Sequence, residues 1–221
     1  MYKFMTRFAR LGLFAALSLG TSMLAHADIV LTFEGVGHLN AIGNFYDGGA
    51  GGNLGVAFGS NALSLIDSDA GGSGNFANEP SANTVMFFLS GSNAYMNVAS
   101  GFTNGFSFFY SSASEASVNV YDGLDGTGNV LATLNLANQY DFNCSGDPTG
   151  VFCNWTPVGV TFTGTAKSVG FGGTANYVAF DDVTIGNSIP GNPVMVPEPS
   201  AIAIAGFGFA LACFGSKRRK A

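Results

Sequence analysis

Basic side chains are scarce in this chain. Its 221 residues hold eight Lys and Arg, and seven of these lie at the two ends. Between residues 28 and 189 a single Lys167 stands against thirteen carboxylates, a net charge of −12. A nucleic-acid partner is excluded, because it demands clustered Lys and Arg along one face. The same field repels phosphates and anionic head groups, whereas divalent cations, basic partners and neutral sugars stay compatible with it. Histidine is almost as rare. His38 lies in the polar stretch EGVGHLN with no nucleophile motif nearby, so it reads as an exposed loop residue and not as the base of a triad. Acid pairs suffice for glycoside hydrolysis, but they work in clefts lined by several sugar-gripping aromatics, and the chain has one Trp. No catalytic residue is expected, and a small glycan hydrolase ranks last among the readings.

Cysteine is sparse too. Cys144 and Cys153 are joined only by Cys213 near the C-terminus. Two thiols without a neighbouring histidine are too few for structural zinc, and their spacing is not that of a C-x-x-C redox pair. The loop between them, NCSGDPTGVFC, is polar and carries Gly and Pro, so it folds back readily. In an oxidising compartment a structural Cys144–Cys153 disulfide is expected, worth about 2–3 kcal/mol in the chain-entropy picture.

Long apolar runs are confined to the two ends. Residues 1–27 place Lys3, Arg7 and Arg10 before the apolar Leu11–Leu19 and then Ala25-His26-Ala27, the order of a cleaved signal peptide. The expected mature chain begins at Asp28. At the other end, Pro197-Glu198-Pro199 interrupts regular structure. Ala201–Phe214 follows without a charge, and Lys217-Arg218-Arg219-Lys220 closes the chain. A basic cluster after an apolar helix orients that helix with its end in the cytoplasm. The apolar stretch falls short of the roughly 20 residues of a full span, which points to transient membrane insertion. This tripartite tail resembles the PEP-CTERM sorting signal of exported proteins in Gram-negative bacteria that make exopolysaccharide. The resemblance implies an exosortase as processing partner and removal of the tail near the PEP motif. The implied destination is the cell surface or the extracellular matrix.

Between the ends, glycine is abundant and short apolar runs alternate with clusters of Gly, Asn, Ser and Asp. Strands are predicted near 29–33, 55–58, 62–66, 84–89, 94–99, 105–110, 117–121, 130–136, 159–162, 168–171 and 177–185. No window of helical length keeps a 3.6-residue period. The fold class is therefore all-β: an antiparallel β-sandwich, jelly-roll-like, over residues 28–189. Residues 190–196 form a linker and 197–221 the sorting signal. Phe87, Phe88, Phe106, Phe108 and Phe109 are expected between the sheets. DGGAGGN (47–53) and DAGGSGN (69–75) precede no helix and offer no P-loop lysine, so they read as flexible loops, and DGLDGTGN (122–129) as a hairpin loop.

The opening FEG and closing FDDVTIG segments look like the first and last strands of jelly-roll carbohydrate-binding modules and galactose-binding-like domains. That resemblance implies a structural calcium held by Glu34 and by Asp181 or Asp182. Six to eight oxygens are needed, so carbonyls or water would complete the shell. Strict alternation places Asp181 on the face of Val183 and Ile185. One inward carboxylate then needs a cation or backbone donors; without a cation, both acids bond backbone N–H groups at a strand edge. Tyr46, Tyr110, Tyr121, Tyr140, Trp155 and Tyr177 are candidates for stacking on sugar rings, and Trp155 is expected to pack on the cystine. FEGVG, NFYDGG, GVAFGS, TAKSVGFGG and FDDVTIG in order resemble PEP-CTERM domain proteins. The resulting expectation is a non-enzymatic matrix protein associated with exopolysaccharide. The alternative is a calcium-dependent carbohydrate-binding module.

Overall fold

The computed structural model describes residues 28–139 and 152–191. The signal peptide, Tyr140, Cys144, residues 192–196, the PEP motif and the basic tail lie outside the described residues. The first six strands are β1 (Ile29–Leu31), β2 (Tyr46–Gly49), β3 (Gly52–Phe58), β4 (Leu63–Ile66), β5 (Thr84–Phe87) and β6 (Asn93–Phe102). Six more follow: β7 (Gly105–Ser112), β8 (Ala116–Tyr121), β9 (Val130–Leu136), β10 (Thr156–Thr161), β11 (Ala166–Gly172) and β12 (Val178–Ile185). Among the described residues there is no helix, and the strands form two antiparallel sheets. The first runs β10-β7-β12-β5-β4, with β1 also paired to β12; the second runs β2-β3-β6-β11-β8-β9.

Most strands fall where apolar and polar side chains alternate, because alternation gives each strand one face for the core and one for water. The strand that the pattern misses is β2. Its sequence YDGG has one apolar residue, and its last three residues fall in the DGGAGGN stretch that reads as a flexible loop, yet Tyr46 pairs with Val56 and Gly49 with Gly52 in a tight hairpin.

Phenylalanine joins the layers. Phe171 of the second sheet lies against Phe106, Phe108 and Phe180 of the first, with ring centroids 6.0, 6.0 and 4.9 Å away and edge-on geometry. Two of the expected core rings are elsewhere. Phe87 is buried on the outer side of the first sheet, beside Leu65 and Ala179. Phe109 is only half-buried, on the side crossed by the chain after β12. There Ser107 Oγ donates to the Asn187 carbonyl at 2.9 Å, and the Gly191 N–H donates to Thr184 Oγ1 at 3.0 Å. Gly159 permits this crossing, since a Cβ on it would lie 1.9 Å from the Ser188 carbonyl oxygen. Asn187 Nδ2 also donates to Asp28 Oδ2 at 2.9 Å, so the two ends of the described domain meet at one corner.

Strict alternation fails in β12. Asp181 opposes Phe109 and Thr184 opposes Ser107, so two residues, Asp182 and Val183, face the single Phe108 position. This is a bulge, and Asp182 takes a left-handed φ of 47° within it. The extra residue lets Phe180, Val183 and Ile185 all enter the core. Asp181 is thereby moved off the face of Val183 and Ile185, against the sequence expectation. A satellite apolar cluster of Phe76, Val85 and Ala179, flanked by Phe152 and Trp155, covers the outer side of the first sheet.

Candidate functional site

Glu34 and Asp181 both hold the segment before β5. Glu34 Oε1 accepts the Asn83 and Thr84 N–H groups at 2.9 and 2.8 Å, and Oε2 accepts Thr84 Oγ1 at 3.0 Å. The Asp181 carboxylate accepts Ser81 N–H at 2.8 Å, Ser81 Oγ at 2.7 Å and the Asp182 N–H at 2.7 Å. Burial pushes the Asp181 carboxyl up to about 7, against the lowering effect of these bonds. Burial also raises Asp182. Tyr46, whose oxygen accepts the Phe33 N–H at 2.8 Å, is pushed up to about 12 by burial and, less strongly, by the charges of Asp181 and Glu34.

A calcium shell needs oxygen acceptors converging from several directions. Here three N–H or hydroxyl donors converge on each of the two carboxylates. Among the described residues no group of three or more His, Cys, Asp or Glu gathers to hold a metal. This donor set suits bare carboxylates that anchor a loop and fits a cation shell poorly.

The other sequence candidates separate by environment. Tyr46 and Tyr110 are buried, and Tyr110 is raised by that burial. The Trp155 indole donates to the Ala77 carbonyl at 3.0 Å, and its ring meets Phe76 edge-on. Cys153 is disulfide-bonded; its expected partner Cys144 lies outside the described residues. Tyr177 is exposed at a turn, and Tyr121 is partly exposed on β8. His38 is not free in solvent: Nδ1 accepts the Ile66 N–H at 3.3 Å and Nε2 lies 3.1 Å from Ser73 Oγ.

The outer face of the second sheet is built from β6, β11, β8 and β9. Their inward residues, such as Met96, Phe171, Val118 and Leu134, fill the core, so the intervening positions face outward. Across the sheet, Tyr95 opposes Gly170, Gly170 opposes Asn119, and Asn119 opposes Thr133. The next row holds Asn97, Ser168, Tyr121 and Val130, and on the other side Asn93 opposes Gly172. None of these positions carries a charge, in a domain that is otherwise strongly acidic.

The central strand supplies almost no bulk on this side. A Cβ on Gly170 would lie 3.0 Å from the Tyr95 ring and 3.3 Å from the Tyr121 ring, so both tyrosines lean over a glycine floor. The 122–129 loop folds across one end. Asp125 N–H donates to Asn97 Oδ1 at 2.8 Å, Asn97 Nδ2 returns a bond to Asp125 Oδ1 at 2.6 Å, and Gly126 N–H donates to Ser168 Oγ at 3.0 Å. Tyr95 and Gly170 were not singled out from sequence. The signal was present in NAYMNVAS, whose alternation turns Asn93, Tyr95 and Asn97 to one side, but nothing local shows that β11 runs between Tyr95 and Tyr121.

No family model and no curated protein matches the sequence. Among solved structures, the K2 cleaved adhesin domain of Lys-gingipain is similar over 73% of this chain and 100% of its own, at 13% identity and a TM-score of 0.47. A family 6 carbohydrate-binding module shares 15% identity over 60% of this chain and 87% of its own, with a TM-score of 0.37. A carbohydrate-binding module from Cellvibrio mixtus lichenase 5A, in complex with cellotriose, shares 11% over 58% of this chain and 88% of its own, with a TM-score of 0.34. At these identities and TM-scores the comparisons assign neither a family nor a function to this chain.

Proposed function

We propose that the chain is an exported, non-enzymatic module that contacts extracellular polysaccharide through the outer face of its second sheet. The observation that carries this reading is the uncharged surface around Gly170, flanked by Tyr95 and Tyr121 and edged by Asn119, Thr133 and Asn93. Amides and hydroxyls both donate and accept, as sugar hydroxyls do, and tyrosine presents an apolar ring with a polar tip to the C–H faces of a pyranose. Glu34 and Asp181 are committed to backbone N–H groups, which does not support an acid–base role for that pair. The reading invokes no calcium, since Glu34 and Asp181 each accept three N–H or hydroxyl donors from the chain itself.

Retardation of the full chain in native gels cast with a panel of polysaccharides tests this reading. Tyr121→Ala is expected to weaken the retarding interaction about tenfold, from roughly 1.4 kcal/mol of lost ring contact. Its melting temperature should stay near that of the parent, because Tyr121 is outside the core. Retardation unchanged by Tyr121→Ala would sink the assignment of this face.

Delivery is assigned to the tail. The order Pro197-Glu198-Pro199, uncharged apolar stretch, Lys217-Arg218-Arg219-Lys220 supports exosortase processing, transient membrane insertion and release to the surface or matrix. Pulse-chase labelling with an epitope after Ala221 is expected to show loss of the epitope in cells that hold the processing enzyme, and its retention when Pro197-Glu198-Pro199 is replaced by alanines. Loss of the epitope from the replaced tail would overturn the role of that motif.

A further inference from the structure

The sheet face has a chemical bias that narrows its ligand, and the narrowing rests on the function proposed above. We infer that this site takes uncharged glycans and rejects chains bearing uronate or sulfate groups. The flanks at Gly170 offer amide, hydroxyl and phenol groups, and the one ammonium of β11, that of Lys167, stands toward the closed end. The closed end holds two carboxylates, Asp122 and Asp125, against the single Lys167. Asp125 is bonded to Asn97, and Asp122 accepts Asn129 N–H at 2.7 Å and Asn129 Nδ2 at 2.9 Å. Those bonds, and more weakly the charge of Lys167, hold the Asp122 carboxyl below its ordinary value, so it is ionised at any physiological pH. Lys167 is the only Lys or Arg between residues 28 and 189, and its influence falls on Asp122.

An anionic sugar placed against the Tyr95 and Tyr121 rings would therefore lose water beside two carboxylates and a single ammonium, that of Lys167, whose field already falls on Asp122. A neutral sugar loses only hydroxyl hydration, and the flanking Asn and Thr groups replace those bonds. The bias is electrostatic, so it weakens as salt shortens the screening length from about 10 Å at 0.1 M to about 3 Å at 1 M.

The test measures the full chain against a neutral β-glucan and a polyuronate of matched length, at low and high salt. Binding to the polyuronate is expected to be at least about tenfold weaker at low salt, with the gap narrowing in 1 M salt. Asp125→Asn keeps the Oδ1 acceptor for Asn97 and suits the left-handed φ of 52° at this position. It should raise the ratio of polyuronate to neutral affinity about two- to fivefold by removing one exposed charge. Tyr121-dependent binding of both polymers with equal strength overturns the inference and leaves the site standing. Absence of Tyr121-dependent binding to any glycan overturns the site and the inference together. A ratio unmoved by Asp125→Asn in a variant that melts like the parent also counts against the inference.

Discussion

Phe171→Ala is expected to destabilise the domain by about 3–5 kcal/mol. That is a large share of the roughly 5–15 kcal/mol that holds a typical domain together. Phe171 is completely buried, and from the second sheet it packs against Phe106, Phe108 and Phe180 of the first. Truncation removes its transfer free energy and leaves a void between two sheets that cannot close without moving both. Urea unfolding should show a lower midpoint at an unchanged slope. Phe109→Ala, on the half-buried outer side, should cost much less. A loss below about 1 kcal/mol for Phe171→Ala would mean that the interlayer contact is not where the structure places it.

The second large effect is a dependence on pH. Asp181 moves from 3.8 to about 7 on folding, chiefly because burial penalises its charge. The folded chain thus binds the proton more tightly than the unfolded one. The stability contributed by this group is complete below the unfolded value and is lost as pH rises through the folded value. Unfolding free energy should fall between about pH 4 and pH 7 by up to about 4 kcal/mol, at 1.36 kcal/mol per unit. Glu79 and Asp182 are also raised by burial, so they add slope of the same sign.

Asp181→Asn removes the main titrating group while keeping one acceptor for Ser81 or the Asp182 N–H. Its stability curve should be markedly flatter between about pH 4 and pH 7. The same curves recorded with calcium and with a chelator should superimpose. Stability that rises through this range, or a variant with the parent's slope, would contradict the burial of Asp181. A calcium-dependent gain abolished by Glu34→Gln would restore the metal reading.

The two acids show where local reading stops. FDDVTIG announced two carboxylates in a closing strand, and composition announced that they lack cationic partners. The pattern could not announce the bulge. An inserted residue leaves the apolar count intact but moves Asp181 from one face to the other, and only the pairing with β7 reveals it. Nor could it show that Ser81, far away in sequence, would supply two of the donors that Asp181 needs.

By itself the sequence determined the class of the fold, the acidic character of the domain and the confinement of basic residues and long apolar runs to its two ends. These follow from period-two alternation, side-chain charge and linear order, which are properties of neighbours along the chain. The tertiary structure alone decided that Glu34 and Asp181 anchor a loop, that the segment up to Gly191 docks back on β7 and β10, and that Tyr95 and Tyr121 meet over Gly170. Each depends on which strands lie side by side. Strand order is set by burial summed over both sheets, and no single segment carries that information.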